Sequence, residues 1–194
     1  MKLSPVLRFI LVILPIAALA SAENVPMDFE TSKVLWSAKK ITAEHNGTVN
    51  LSRGELLISD GKVSGGSFEV DMTTIIDLDL AEPGLRKKIV YQLKSDDFFS
   101  VDQFPTASFK IESLKKTSGD TYHVAGGMTI KGKTLPVEFD ALIKVQGGKW
   151  TFDATLELDR TRWNVRYRSG KFFENLGDNL IYDIFKITVK LVSK

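Results

Sequence analysis

The sequence predicts an all-β domain: an eight-stranded antiparallel barrel of up-and-down connectivity, with a short helix in the 76–104 connection. Three observations predict it. From Thr106 to Leu191 most segments between turns alternate apolar and polar residues, the pattern of strands with one buried face. Asp60-Gly61, Ser118-Gly119-Asp120, Lys131-Gly132-Lys133 and Gly147-Gly148 fall between such segments and supply the positive φ that tight hairpins need. Several segments also exceed the usual strand of about 5–6 residues, which suits a strongly twisted barrel better than a flat sandwich. Closing the sheet covers the apolar face and removes the edges.

The elements follow in order. The first 22 residues read as a signal peptide: Lys2 and Arg8 precede an apolar run from Phe9 to Ala20, and cleavage after Ala22 leaves residues 23–194 as one barrel domain. An uncleaved anchor is the alternative, but the run is short for a bilayer span of about 20 residues. Strands are expected at 33–41, 46–58, 62–75, 105–118, 121–131, 134–146, 149–160 and 181–193. Asn46-Gly47 reads as a turn at the head of the second strand, although Asn46-Gly47-Thr48 also fits a glycosylation sequon.

Two segments break the alternation. Between Pro83 and Leu93, the apolar residues Leu85, Ile89 and Leu93 recur every four residues, predicting an amphipathic helix outside the barrel. Ser95-Asp96-Asp97 then offers caps for a second short turn at Phe98-Phe99, before Phe104-Pro105 restores extended structure. From Arg160 to Asn179 the chain is first basic and aromatic, then forms one expected helical turn at Phe172–Leu176 closed by Gly177. Both segments lie off the strands and are placed to cover a barrel end.

Composition excludes several functions. Among 194 residues there is no cysteine, hence no disulfide framework and no thiol for a lipid anchor. The whole chain has 26 basic and 24 acidic residues; Lys2 and Arg8 lie in the expected signal peptide, so the remainder is balanced and carries no electrostatic footprint for nucleic acid. Catalysis finds little support. His45 and His123 stand far apart in no metal-ligand spacing, and no serine sits in a G-x-S-x-G elbow. Asp77 with Asp79, and Asp96 with Asp97, read as caps or solvated turn charges.

The alternation allows two opposite solutions. Apolar residues facing inward give a soluble barrel; facing outward they give a membrane-inserted barrel of about eight strands. The soluble solution is favoured because Phe109, Phe139 and Phe152 lie mid-strand rather than in girdles at the strand ends. Phe68, Val70, Met72, Phe109, Ile111, Val137, Phe139, Phe152, Leu156 and Phe185 are then expected inside, with Glu69, Asp71, Lys110, Glu112, Glu138, Asp153 and Glu157 outside.

The segments taken together resemble the YceI-like family of exported polyisoprenoid-binding proteins. The resemblance begins at Ser32–Trp36 and His45–Thr48 and continues through Gly65–Met72. It is most specific in Leu93-Lys94-Ser95-Asp96-Asp97-Phe98-Phe99 followed by Phe104–Phe109. Gly127–Thr134, Asp159–Trp163 and Phe172–Asp178 complete it, while Arg168 departs from the small residue expected in the Tyr167–Gly170 turn. The resemblance implies a lipocalin-like extended barrel whose lumen holds a long isoprenoid, or a similar quinone or fatty acyl chain, as its ligand, with no cofactor, no metal and no enzymatic activity. It implies a lumen lined by Trp36, Phe68, Val70, Met72, Phe109, Ile111, Val137, Phe139, Ala141, Trp150, Phe152, Leu156, Phe185 and Ile187. The basic cluster of Arg160, Arg162 and Arg166 with Trp163 reads either as a rim for an anionic headgroup or membrane surface, or as a solvated face. A barrel filled by its own side chains, acting as an interaction or stress protein, is the remaining alternative.

Overall fold

The computed structural model describes residues 22–194, so the expected signal peptide lies outside the described residues except for Ala22. The alternating segments form antiparallel strands, each after the first bonded to the next in sequence. These are β1 (Glu23–Pro26), β2 (Lys33–Lys40), β3 (Ala43–Ser59), β4 (Lys62–Asp77), β5 (Thr106–Ser118), β6 (Thr121–Ile130), β7 (Lys133–Gln146), β8 (Lys149–Asp159) and β9 (Ile181–Val192). Pairing of β9 with β2, Trp36 opposite Ile187, closes the sheet. Both β1 and β2 run along one side of the long β3, so they form one stave interrupted at 27–32, and the barrel has eight staves. The short β1 has no alternation of its own, which is why the sequence did not announce it.

Two-residue hairpins join most staves, with positive φ at Asp60 and Gly61, Lys131 and Gly132, and Gly147 and Gly148. That geometry matches the right-handed twist of the strands it connects. The exception to the turn signals is Asn46-Gly47. It lies inside β3, and the actual turn falls at Ile41-Thr42. Gly47 is there because backbones touch: a Cβ on it would stand 1.8 Å from the Ile76 carbonyl oxygen. A register shift between β3 and β4, from Thr48–Ile76 to Asn50–Asp71, bulges β4 and delivers that carbonyl. Trp36 Nε1 donates to the same oxygen at 3.2 Å. Gly47→Ala should therefore lower stability by about 1–3 kcal/mol, the overpacking range, because a backbone carbonyl cannot swing away as a side chain can. Urea unfolding at constant m measures it, and an unchanged midpoint would show that the bulge yields.

The face assignment holds. Met72, Phe109, Ile111, Val137, Phe152 and Leu156 are buried, while Phe68, Val70, Phe139 and Phe185 are partly buried and packed on the core. On the outer face Lys110, Glu112, Glu138 and Glu157 are exposed, and Glu69, Asp71 and Asp153 are half-buried. Charges at these mid-wall positions oppose the membrane-inserted alternative, in which that face would meet lipid.

Helix α1 (Pro83–Lys94) starts on the Glu82 side chain, which accepts from the Gly84 and Leu85 amides, with Pro83 in the first turn. It lies outside the barrel as expected, but its apolar stripe is seated only at its C-terminal end: Leu93 packs on the core, whereas Leu85 is 52% exposed and no residue of the helix is fully buried. The expected turn closed by Gly177 is displaced; a 3-10 turn instead begins there, at Gly177–Asn179. A second 3-10 turn, Arg160–Trp163, follows β8 directly, capped by Asp159.

On the outer wall His123 places Nδ1 3.0 Å from Asp140 and Nε2 3.5 Å from Glu138. The bond from Asp140, helped by Glu138 and opposed by desolvation, raises its pKa above the ordinary value of about 6.5. The stabilisation is complete below pH ~6.5 and disappears as pH rises through the raised folded-state value. The melting-temperature gap between the parent and His123→Gln should thus shrink from pH 5 to pH 9, and a gap that widened would refute the pairing.

Candidate functional site

Connectivity gives the barrel two unlike ends. One carries the 60–61, 119–120 and 147–148 hairpins and both ends of the described chain, where Met27 bridges Ser193. Met27, Leu56, Val124, Ala141, Ile143 and Leu191, each at most 2% exposed, belong to the solid part of the core. The other end carries the 41–42 and 131–132 hairpins and both long connections. Towards it the lumen is hollow, with an apolar cavity of about 150 Å³.

The cavity is built from strands and from both long connections. Large rings cross the lumen: Phe68 and Phe109 are paired on β4 and β5, and Phe152 and Phe139 stand on β8 and β7. Their centroids lie 5.2 Å apart for Phe68–Phe152, 6.4 Å for Phe139–Phe152 and 5.2 Å for Phe109–Phe139. Val70, Met72 and Leu156 continue the wall, and Trp36, Phe185 and Ile187 line the β2–β9 seam. The 78–105 connection supplies Leu93, Phe98 and Phe99, and the 160–180 connection begins with Arg160. The two connections meet where the tilted rings of Phe98 and Tyr167 pack with centroids 5.4 Å apart. Lys131 holds the first in place by donating Nζ–H to the carbonyls of Asp96 and Phe98.

Four expected lining residues are corrected. Ile111 and Ala141 are buried in the core, where neighbouring side chains fill the lumen. Val137 pairs with Gly126, and the Phe109 ring lies over that glycine, 2.7 Å from where a Cβ would stand, taking the lumen-facing place. Trp150 is half-buried at the start of β8, beside the closed-end hairpin, with its amide bonded to Ser193 Oγ. The lining also contains Val34, Val49, Leu51, Ile75, Met128, Ile130, Ile181 and Val189, which the reading omitted. Val34, Val49 and Leu51 share the alternation of their neighbours, so period two alone was enough to find them.

The basic cluster separates into two sets. Arg160 is 4% exposed and spends its donors on the carbonyls of Val165, Ile181 and Tyr182, with Asp183 at 3.6 Å. Burial draws its pKa below the ordinary value, opposed by Asp183 and Asp159. Trp163 is fully buried, and its Nε1 donates to the Met128 carbonyl at 3.1 Å. Neither is a rim residue: both anchor the 160–180 connection to the barrel. Arg162 and Arg166 are exposed in an outer cleft with Phe104, Lys131 and Lys133, beyond the cavity wall. Asp77 and Asp79 do cap backbone amides, of Leu80 and Asn46.

The comparisons agree with this architecture. The BcnA structure from Burkholderia cenocepacia superposes with a TM-score of 0.72 at 23% identity, covering 87% of this chain and 99% of that one. A polyisoprenoid binding domain from Saccharophagus degradans gives 0.66 at 9% identity, covering 90% and 99%. Among curated proteins, a UPF0312 protein of Pectobacterium atrosepticum and protein YceI of Salmonella arizonae are each 40% identical over 55 residues, a stretch spanning 28% of this chain and 28% of each relative. The YceI-like domain model matches residues 26–193, nearly the whole described barrel, and the chain belongs to that family.

Proposed function

We propose that this chain is an exported, non-enzymatic carrier that holds the tail of a long isoprenoid, or of a similar quinone or acyl chain, in the hollow half of its barrel. The observation that carries the reading is an apolar lumen left unfilled at one end, beneath a cap made of two connections. The similarity to a polyisoprenoid binding domain supports the choice of ligand. Each methylene that leaves water contributes about 0.8 kcal/mol, so affinity grows with tail length and discriminates little between similar tails. A cavity of about 150 Å³ takes only part of such a tail, so a long chain must displace Phe98 and Phe99 and leave through the capped end.

That end is also where delivery to a membrane would occur. Ile41, Leu78, Leu85, Phe172 and Phe173 are exposed on its turn and connections, and Arg166 stacks on Phe172 at 4.5 Å. Apolar side chains beside cations suit a transient contact with an anionic bilayer surface. Export is supported by the apolar run at Phe9–Ala20, and a periplasmic or secreted destination follows from it. Organic extraction and native mass spectrometry of the protein purified after export test the reading. Near one long-chain lipid per barrel is expected. No extractable lipid, together with no uptake of added farnesol or decylubiquinone, would overturn it.

A further inference from the structure

The Gly47 crossing brings one histidine to a pair of carboxylates about 30 residues away in the chain. His45 on β3, Asp77 at the end of β4 and Asp79 in the following connection place a ring nitrogen and two carboxylate oxygens within 4.8 Å of one another. Each carboxylate is oriented by its own backbone donor. Asp77 Oδ1 accepts the Leu80 amide at 3.0 Å, and Asp79 Oδ1 accepts the Asn46 amide at 2.8 Å. Both Oδ2 atoms then point at His45 Nδ1, from 3.9 Å for Asp77 and 3.0 Å for Asp79.

Asp77 is the telling member. Its side chain is 0% exposed, and its Oδ2 has no hydrogen-bond partner. A buried carboxylate oxygen without a partner is costly, and native structures rarely leave one so. The His45 and Asp79 side chains remain 20% and 24% exposed, so the cluster is closed underneath and open above.

We propose that His45, Asp77 and Asp79 form a divalent-cation site of the zinc class at the capped end of the barrel. One imidazole nitrogen and two carboxylate oxygens are donors that zinc takes. Tetrahedral ligands at about 2.0–2.1 Å from zinc stand roughly 3.3 Å from each other, and the 3.0 and 3.9 Å separations bracket that value. The two backbone amides supply the outer contacts that hold ligating carboxylates in position. Three protein ligands leave a fourth position for water or an anionic ligand.

Zinc chloride is the probe, measured on the full barrel domain by competition with a chromophoric chelator and by thermal melting. The parent should bind one equivalent and melt higher with zinc present. His45→Gln and Asp77→Asn should each weaken binding at least tenfold and abolish that shift, whereas His123→Gln on the outer wall should leave both unchanged. If Asp77→Asn fails to fold, Asp79→Asn provides the same test at a more exposed ligand. Absence of stoichiometric binding by the parent would overturn the site, leaving a proton shared between the carboxylates. Binding that survives His45→Gln and Asp79→Asn would overturn it as well. Zinc binding should persist in Phe139→Arg, which separates this site from the lipid reading.

Discussion

Phe139→Arg should abolish lipid loading while leaving a folded, destabilised barrel. Phe139 sits mid-strand on β7 with its ring against Phe109 and Phe152, and it lines the cavity. In a solid core an unpaired guanidinium would be ruinous, since a lone buried charge costs far more than a missing contact. Here the ring faces a hollow and is only partly buried. Water can enter beside the new cation once the tail is excluded, so the penalty falls mainly on the ligand. Circular dichroism melting alongside mass spectrometry of extracted lipid separates the effects. A folded variant with the parental lipid load would show that the tail does not lie against Phe139, and one that failed to fold would favour a barrel filled by its own side chains.

Trp163→Ala should lower unfolding free energy by about 3–5 kcal/mol, the range for emptying a large buried aromatic site. Trp163 is 0% exposed and is tied through Nε1 to the Met128 carbonyl, so the substitution leaves both a void and an orphaned acceptor. Its second consequence is functional. The 3-10 turn that carries Trp163 also carries Arg160, and Arg160 holds the carbonyls of Val165, Ile181 and Tyr182 beside the cavity. Loosening this anchor should free the 160–180 half of the cap and speed lipid release. Chemical denaturation gives the first quantity and the transfer rate of a fluorescent farnesyl analogue to vesicles gives the second. A loss under about 1 kcal/mol with unchanged transfer would mean that Trp163 is not the anchor described here; such small losses are ordinary for surface changes, not buried ones.

Strand order, the inward face and the covering of one end by two connections were legible in the residues. Period-two alternation fixes which side chains share a face, and glycine-containing turns fix where the chain reverses, so neighbours in sequence become neighbours in the sheet. The alternation alone therefore places Phe68, Phe109, Phe139 and Phe152 inside. The resemblance in Leu93–Phe99 and Phe104–Phe109 added the expectation of a hollow.

Only the tertiary structure decided how far inside each residue stands, and what is filled. Ile111 and Ala141 share the face of the cavity residues yet lie in the solid part of the core, because periodicity gives a side and not a depth. Arg160 and Trp163 looked like rim residues by composition, but the carbonyls that bury them come from β6, β9 and the residues after β8, which no local pattern reports. Asn46-Gly47 imitated a turn because glycine marks both a reversal and a close approach of backbones. The bulge in β4 makes it the second, and by the same displacement carries Asp77 to His45 across 32 residues of chain. Long-range contacts of this kind are fixed by register and closure, which a single strand does not encode.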